Sequence, residues 1–221
     1  VILHINTALD TALTGISKGE NIITFRENFV QKEHASFLHL AINEMVKELG
    51  ITFSDINAVS LVNGPGSYTG LRVGLATAKG ICYAMDKPLM TFSTLKWMAK
   101  PFQGAAVDFI CPLIDARRME VFTAMYTADM TEILEPYAKI IDLNSFEEIL
   151  SHKKILFTGN AVIKLPENIK NNPNAVFSKQ YASLKEQVQL AVVDFNQALF
   201  TDILFAEPLY AKAFYSIAST K

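Results

Sequence analysis

Along the first thirty residues, apolar positions come in short runs broken by turn residues. "VILHIN" and "TALTGIS" are strand-like, and "KGEN" at 18–21 turns the chain into "IITFRE", whose alternation fits a half-exposed strand. The period then changes. Leu38, Ile42, Met45 and Leu49 recur at helical spacing within "EHASFLHLAINEMVKELG", and Gly50 stands where a helix C-cap glycine belongs. "INAVSLV" reads as the next strand, residues 68–85 as a second helix, and "KPLMTF" as a returning strand. The second half begins to repeat this order. "STLKWMAK" predicts a helix, and "DFICPLID" a strand paired across "ARRM" with "EVFTAMYT". A strand "AKIIDL", a short helix "SFEEIL", a strand "KILFTGN" and a helix "SLKEQVQLAVVDFNQALF" complete the pattern, with "KNNPN" at 170–174 the most loop-like segment. Hairpins mixed with helix-crossed strands in both halves predict a duplicated α/β fold with two lobes, residues 1–100 and 101–221.

Composition changes this picture little. The chain has 221 residues, enough for one large domain or two small lobes, and is 50% hydrophobic with a mean hydropathy of +0.22. No apolar run approaches the ~20 residues of a membrane helix, so the excess is expected in core or partner surface. "VILHINTALD" has neither a basic start nor a cleavage site, so no signal peptide is expected, and a cytoplasmic protein is. Cys82 and Cys111 lie in apolar runs and read as buried, reduced thiols. The net charge of −2 comes from 20 basic and 22 acidic residues without a basic stripe, so another subunit must supply most of any grip on nucleic acid.

The candidate chemistry centres on "NGPGSYTGLRVG", residues 63–74. A phosphate loop needs Lys and then Ser or Thr after its last glycine, whereas Leu71 and Arg72 follow Gly70. A dinucleotide fingerprint fails too, because Gly64, Gly66 and Gly70 are spaced one residue too long. Two readings stay open. Gly64, Gly66, Ser67 and Thr69 could cradle an anion at the helix start, or the glycines could serve only a tight turn.

The helix that follows carries small residues in two rows, Gly70–Gly74–Ala78 and Ala76–Gly80–Ala84. Interior glycines cost about 1 kcal/mol each relative to alanine, so close backbone approach must compensate. With few polar positions the helix must be covered on more than one side. That cover could be a second helix of this chain or of a partner.

"GPGSYTGLRVGLATAKG" closely resembles the signature of the TsaB (YeaZ) family. "ILHINTALDTALTGI", "LIDARRMEVFTAMY" and "AEPLY" at 206–210 resemble further family segments in the same order, with Phe122 in place of the usual tyrosine. The resemblance implies the actin/Hsp70/sugar-kinase (ASKHA, ribonuclease H-like) form of a duplicated fold. It also implies a non-catalytic scaffold in forming N6-threonylcarbamoyladenosine at position 37 of tRNAs. The implied partners are a TsaD-like subunit, bound through helices 34–49 and 68–85 with Leu38, Ile42, Met45, Gly70, Gly74, Thr77, Ala78 and Ile81 as the candidate interface, and a TsaE-like ATPase. Contact with tRNA would be indirect, and the same helices could form a homodimer when the partner is absent.

The catalytic relative holds its metal through two histidines four apart. Here only His34 and His39 share a helix, and a spacing of five sets them about 140° apart, so no metal site and no peptidase activity are expected. Fold relatives that use ATP place an aspartate at the end of the first strand to hold Mg²⁺. Asn6 stands there, a neutral and weaker ligand. No cofactor is expected, except ATP or ADP at the inter-subunit interface. Asp115, Arg117, Arg118 and Glu120 form one dense charged cluster, read either as a salt-linked hairpin turn or as a partner or tRNA contact. The rival to the scaffold reading is an ATP-dependent small-molecule kinase of the same fold.

Overall fold

In the computed structural model, which describes residues 1–30 and 33–212, two five-stranded sheets repeat one topology. The first contains β1 (Ile2–Asn6), β2 (Ala12–Lys18), β3 (Asn21–Asn28), β4 (Ala58–Val62) and β5 (Leu89–Phe92), in the order β3-β2-β1-β4-β5. The second contains β6 (Phe109–Asp115), β7 (Glu120–Thr127), β8 (Glu132–Ile140), β9 (Ile155–Thr158) and β10 (Ala175–Phe177). Its order, read from the other edge, is β8-β7-β6-β9-β10, the same arrangement. In each sheet the first three strands form an antiparallel meander and the last two add in parallel. The duplication expected from the element order is therefore present strand for strand.

The parallel additions need crossovers. In the first sheet these are α1 (His34–Glu48) and α2 (Tyr68–Met85), both long. In the second they shrink to α4 (Glu147–Leu150) and α5 (Glu167–Lys170). Gly50 takes φ +64° just after α1, as its C-cap position predicts. The short α5 and β10 escape the sequence pattern, because four and three residues carry too little periodicity to read.

Two helices cross over between the halves. α3 (Thr94–Ala99) follows the first sheet but packs on β6 and β7, whereas α6 (Leu184–Asn196) follows the second sheet and packs on the first. Ser183 caps α6 with a full capping box to Glu186. Gln187 Nε2 donates to the backbone oxygens of Ile5 (3.1 Å) and Ser60 (3.2 Å), fixing α6 against β1 and β4. Trp97 Nε1 on α3 donates to Ser183 O at 2.9 Å, which ties the two crossing helices together. The strands divide near residue 100, but residues 184–209 pack back on the first half. The second segment is thus not self-contained.

One core fills the space between the sheets, with Trp97, Met98, Phe102, Ile110, Tyr126 and Leu190. A second lies under α1 and α2, and a third lies under α4 and α5. Cys82 and Cys111 are free and buried, and desolvation pushes their thiols up to about 11 and about 12, which keeps them protonated and inert. Among the described residues no helix is long and apolar enough to cross a membrane.

Candidate interface and interlobe cleft

The glycine turn is shaped by the chain lying against it. A Cβ on Gly66 would lie 2.0 Å from Ala8 O, one on Gly70 2.1 Å from Thr7 O, and one on Gly74 2.4 Å from Thr7 Oγ1. None of these distances admits a side chain. Three glycines of the turn and helix therefore let α2 sit directly on the end of β1, where Thr7 Oγ1 also donates to Gly70 O at 2.6 Å. Gly64, at φ +112°, faces Leu209 O of the returning C-terminal segment instead.

This packing bears on the anion candidates. Gly66, Ser67 and Thr69 line a cavity of about 930 Å³ between the lobes, whereas Gly64 is buried away from it. Ser67 is already committed: its N–H donates to Ala8 O at 2.7 Å, and its hydroxyl accepts the Gly70 N–H as the cap of α2. Thr69 alone of the hydroxyl pair stays exposed.

The expected interface residues need correction. Leu38, Ile42, Met45, Gly70, Gly74, Thr77 and Ala78 are all buried inside this chain, and only Ile81 is partly exposed. The periodicity that selected them marks the faces that α1 and α2 turn to their own sheet. The other small-residue row is the outward one. Ala76, Gly80 and Ala84 are exposed, Tyr83 beside them is 81% exposed, and a Cβ on Gly80 would meet nothing within 4 Å. Between α1 and α2 runs a groove of about 450 Å³, lined by Ala35, His39, Val73, Ala76, Gly80 and Ile81 among others. Ile42 and Thr77 form part of its floor.

The charged cluster sits in the turn between β6 and β7, closed by Ala116 N to Glu120 O and Glu120 N to Arg117 O. Its salt links go elsewhere than expected. Asp115 pairs with Lys164 at 2.6 Å and accepts the Arg117 N–H, which together hold its carboxyl below the usual range. Glu120 pairs with Lys212 at 2.5 Å. Arg117 and Arg118 both take left-handed backbone, at φ 71° and 49°, and neither pairs with a carboxylate among the described residues. Arg117 and Asp115 line the same interlobe cavity as the glycine turn, so the fold brings two separate sequence candidates together.

The histidines do not meet. His34 is buried with Nε2 on Asp10 O at 3.0 Å, while His39 lies exposed in the α1–α2 groove. No group of three or more metal-ligating side chains occurs among the described residues. Asn6 does not fit a hydrated Mg²⁺ either. Its Oδ1 accepts the Ala8 N–H at 3.2 Å, so the side chain offers an amide N–H to the cleft rather than an anionic oxygen.

Sequence reasoning missed the closing segment. Residues 201–212 run from β5 along α2 to the second sheet. Thr201 bridges Leu89, Lys79 Nζ donates to Ala206 O, Asn63 clamps Glu207 and Leu209 through two hydrogen bonds, and Lys212 reaches Glu120. Arg72 lies 4.0 Å over the Tyr68 ring and donates to the Tyr210 oxygen at 3.2 Å. The quoted "AEPLY" was the one available signal for this strap.

Comparison with known proteins agrees with this architecture. Residues 27–214 match the family model described as TsaD, tRNA N6-adenosine threonylcarbamoyltransferase. The TsaB tRNA threonylcarbamoyladenosine biosynthesis protein of Bacillus subtilis is 29% identical over 72% of this chain and 70% of its own length. That of Buchnera aphidicola subsp. Baizongia pistaciae is 30% identical over 65% of this chain and 70% of its own. The solved structure of YeaZ from Pseudomonas aeruginosa superposes with a TM-score of 0.75 at 17% identity, covering 95% of this chain and 98% of that one. On the family match, the relatives and the shared duplicated fold, this chain belongs to the TsaB (YeaZ) branch of the TsaD family.

Proposed function

We propose that this chain is a non-catalytic scaffold subunit in the formation of N6-threonylcarbamoyladenosine at position 37 of tRNAs. It pairs with a TsaD-like subunit through the outward face of α1 and α2, and a TsaE-like ATPase joins the pair. The observation that carries the reading is the Ala76–Gly80–Ala84 row, which is exposed, flanks an apolar groove and includes an interior glycine that no contact within this chain requires. A helix accepts about 1 kcal/mol of lost propensity at such a position when another backbone must approach closely. tRNA is held through the partner, in keeping with the mixed surface charge. The chain uses no cofactor of its own, works in the cytoplasm, and self-associates through the same face when alone. The kinase alternative lacks support at Asn6, whose oxygen is occupied by Ala8 N–H.

Reconstitution tests this reading. Threonylcarbamoyladenosine formation by the TsaD-like subunit should require this chain, and this chain alone should form none. Product formed at an undiminished rate without it would remove the scaffold role.

A further inference from the structure

The interlobe cavity of about 930 Å³ brings together three polar groups left over by the rest of the fold. One is a buried nitrogen. His34 lines the cavity yet is only 3% exposed, and its Nε2 lies 3.0 Å from Asp10 O. A carbonyl oxygen can only accept, so Nε2 carries the proton and Nδ1 of the neutral ring is a bare acceptor. That Nδ1 is buried and has no hydrogen-bond partner in the chain. A buried acceptor left unmade costs about 1–3 kcal/mol, which a donor entering from the cavity recovers.

The second group is the start of α2. Ser67 takes two of its first N–H groups, Gly70 N–H on Oγ and Leu71 N–H on the backbone oxygen. Thr69 N–H finds no acceptor among the described residues, and the positive end of an 18-residue helix lies there. The third is Arg117. Its guanidinium makes no hydrogen bond or ion pair among the described residues, because the neighbouring Asp115 is held by Lys164. Two of the three groups therefore suit an anion, and the third needs a donor. A guanidinium meets a carboxylate through two parallel bonds. One arginine and no lysine line the cavity among the described residues, which suits a single carboxylate better than a polyphosphate. Leu9, Val73 and Phe122 make the adjoining wall apolar.

We propose that this cavity binds a monocarboxylate that carries a hydroxyl group and an apolar body. The carboxylate lies between Arg117 and Thr69 N–H, the hydroxyl donates to His34 Nδ1, and the apolar body follows Leu9, Val73 and Phe122. The site stands on these residues alone and does not rest on the scaffold reading.

The experiment titrates the whole chain with phenyllactate, hydrocinnamate and ATP by calorimetry. It also follows the histidine ring nitrogens by NMR in isotope-labelled protein, which has four histidines to separate. Phenyllactate should bind. Hydrocinnamate, the same acid without the hydroxyl, should bind about fivefold more weakly or worse, and ATP more weakly than phenyllactate. The His34 Nδ1 signal should shift with phenyllactate and stay in place with hydrocinnamate, which a packing role for His34 would not produce. Arg117→Gln, at an exposed position, should lower phenyllactate affinity by about tenfold or more without moving the urea midpoint. No binding of phenyllactate, equal binding of hydrocinnamate, or tighter binding of ATP would each overturn the proposal. So would a His34 signal that phenyllactate leaves unmoved, or an Arg117→Gln protein that binds as the wild type does.

Discussion

His4 shows how one buried residue sets a pH limit. Its ring is fully enclosed between Ser60 Oγ at 2.7 Å and Ser17 Oγ at 2.8 Å, with neutral hydroxyls on both nitrogens and no carboxylate to balance a charge. Burial lowers its pKa to about 3. In the unfolded chain the ring titrates near 6.5 and therefore binds the proton first as pH falls. The stability contributed by keeping His4 neutral is thus complete above about pH 6.5 and is lost between there and about pH 3. The slope in that window is about 1.4 kcal/mol per pH unit. Urea unfolding at pH 7 and pH 5 should differ by about 2 kcal/mol on this account. His4→Gln, which cannot take the proton, should show a smaller pH difference. An equal difference in the variant would place the acid sensitivity elsewhere.

At the scale of the element, α2 holds two glycines with opposite roles. Gly74 has no room, since a Cβ would lie 2.4 Å from Thr7 Oγ1, whereas Gly80 faces open space. Gly74→Ala should therefore destabilise by about 1–3 kcal/mol from overpacking, less the propensity it recovers. Gly80→Ala should stabilise by up to about 1 kcal/mol, measured as opposite shifts of the urea midpoint. A shift of the same sign for both would contradict the assignment of faces. The sequence made the helix, its bounds and its two small-residue rows legible, because spacing alone defines them. It could not say which row faces outward. That depends on the approach of Thr7 and Ala8, about sixty positions earlier in the chain, and on which helical stripe the sheet covers. The same limit applies to Asp115 and Glu120. Their density marked a turn, but their lysine partners come from 49 and 92 positions away.

For the whole molecule, the repeated strand order was readable because each strand and hairpin carries a local signal. The exchange of α3 and α6 between halves was not, since nothing local distinguishes a helix that packs on its own sheet from one that crosses. It has a consequence for stability. Without α6, Leu13 would lose Leu184 and Val188, and the Ser60 oxygens would lose Gln187. A fragment of residues 1–100 should therefore lack the cooperative unfolding transition of the full chain. Restoring residues 183–212 by a flexible linker should bring it back, as judged by circular dichroism during thermal melts. A fragment that melts cooperatively alone would show that the exchange is dispensable.

The claim on which the functional account rests is that the outward row of α2 is an interface. Size-exclusion chromatography with light scattering, on this chain mixed with the TsaD-like subunit of the same organism, tests it most directly when Gly80→Arg is run beside the wild type. The wild type should elute as a hetero-complex. Gly80→Arg should keep its folded elution alone, because the position is open and arginine is the better helix former, and should fail to join the partner. A Gly80→Arg protein that assembles as the wild type does, or a wild type that never assembles, would contradict the account.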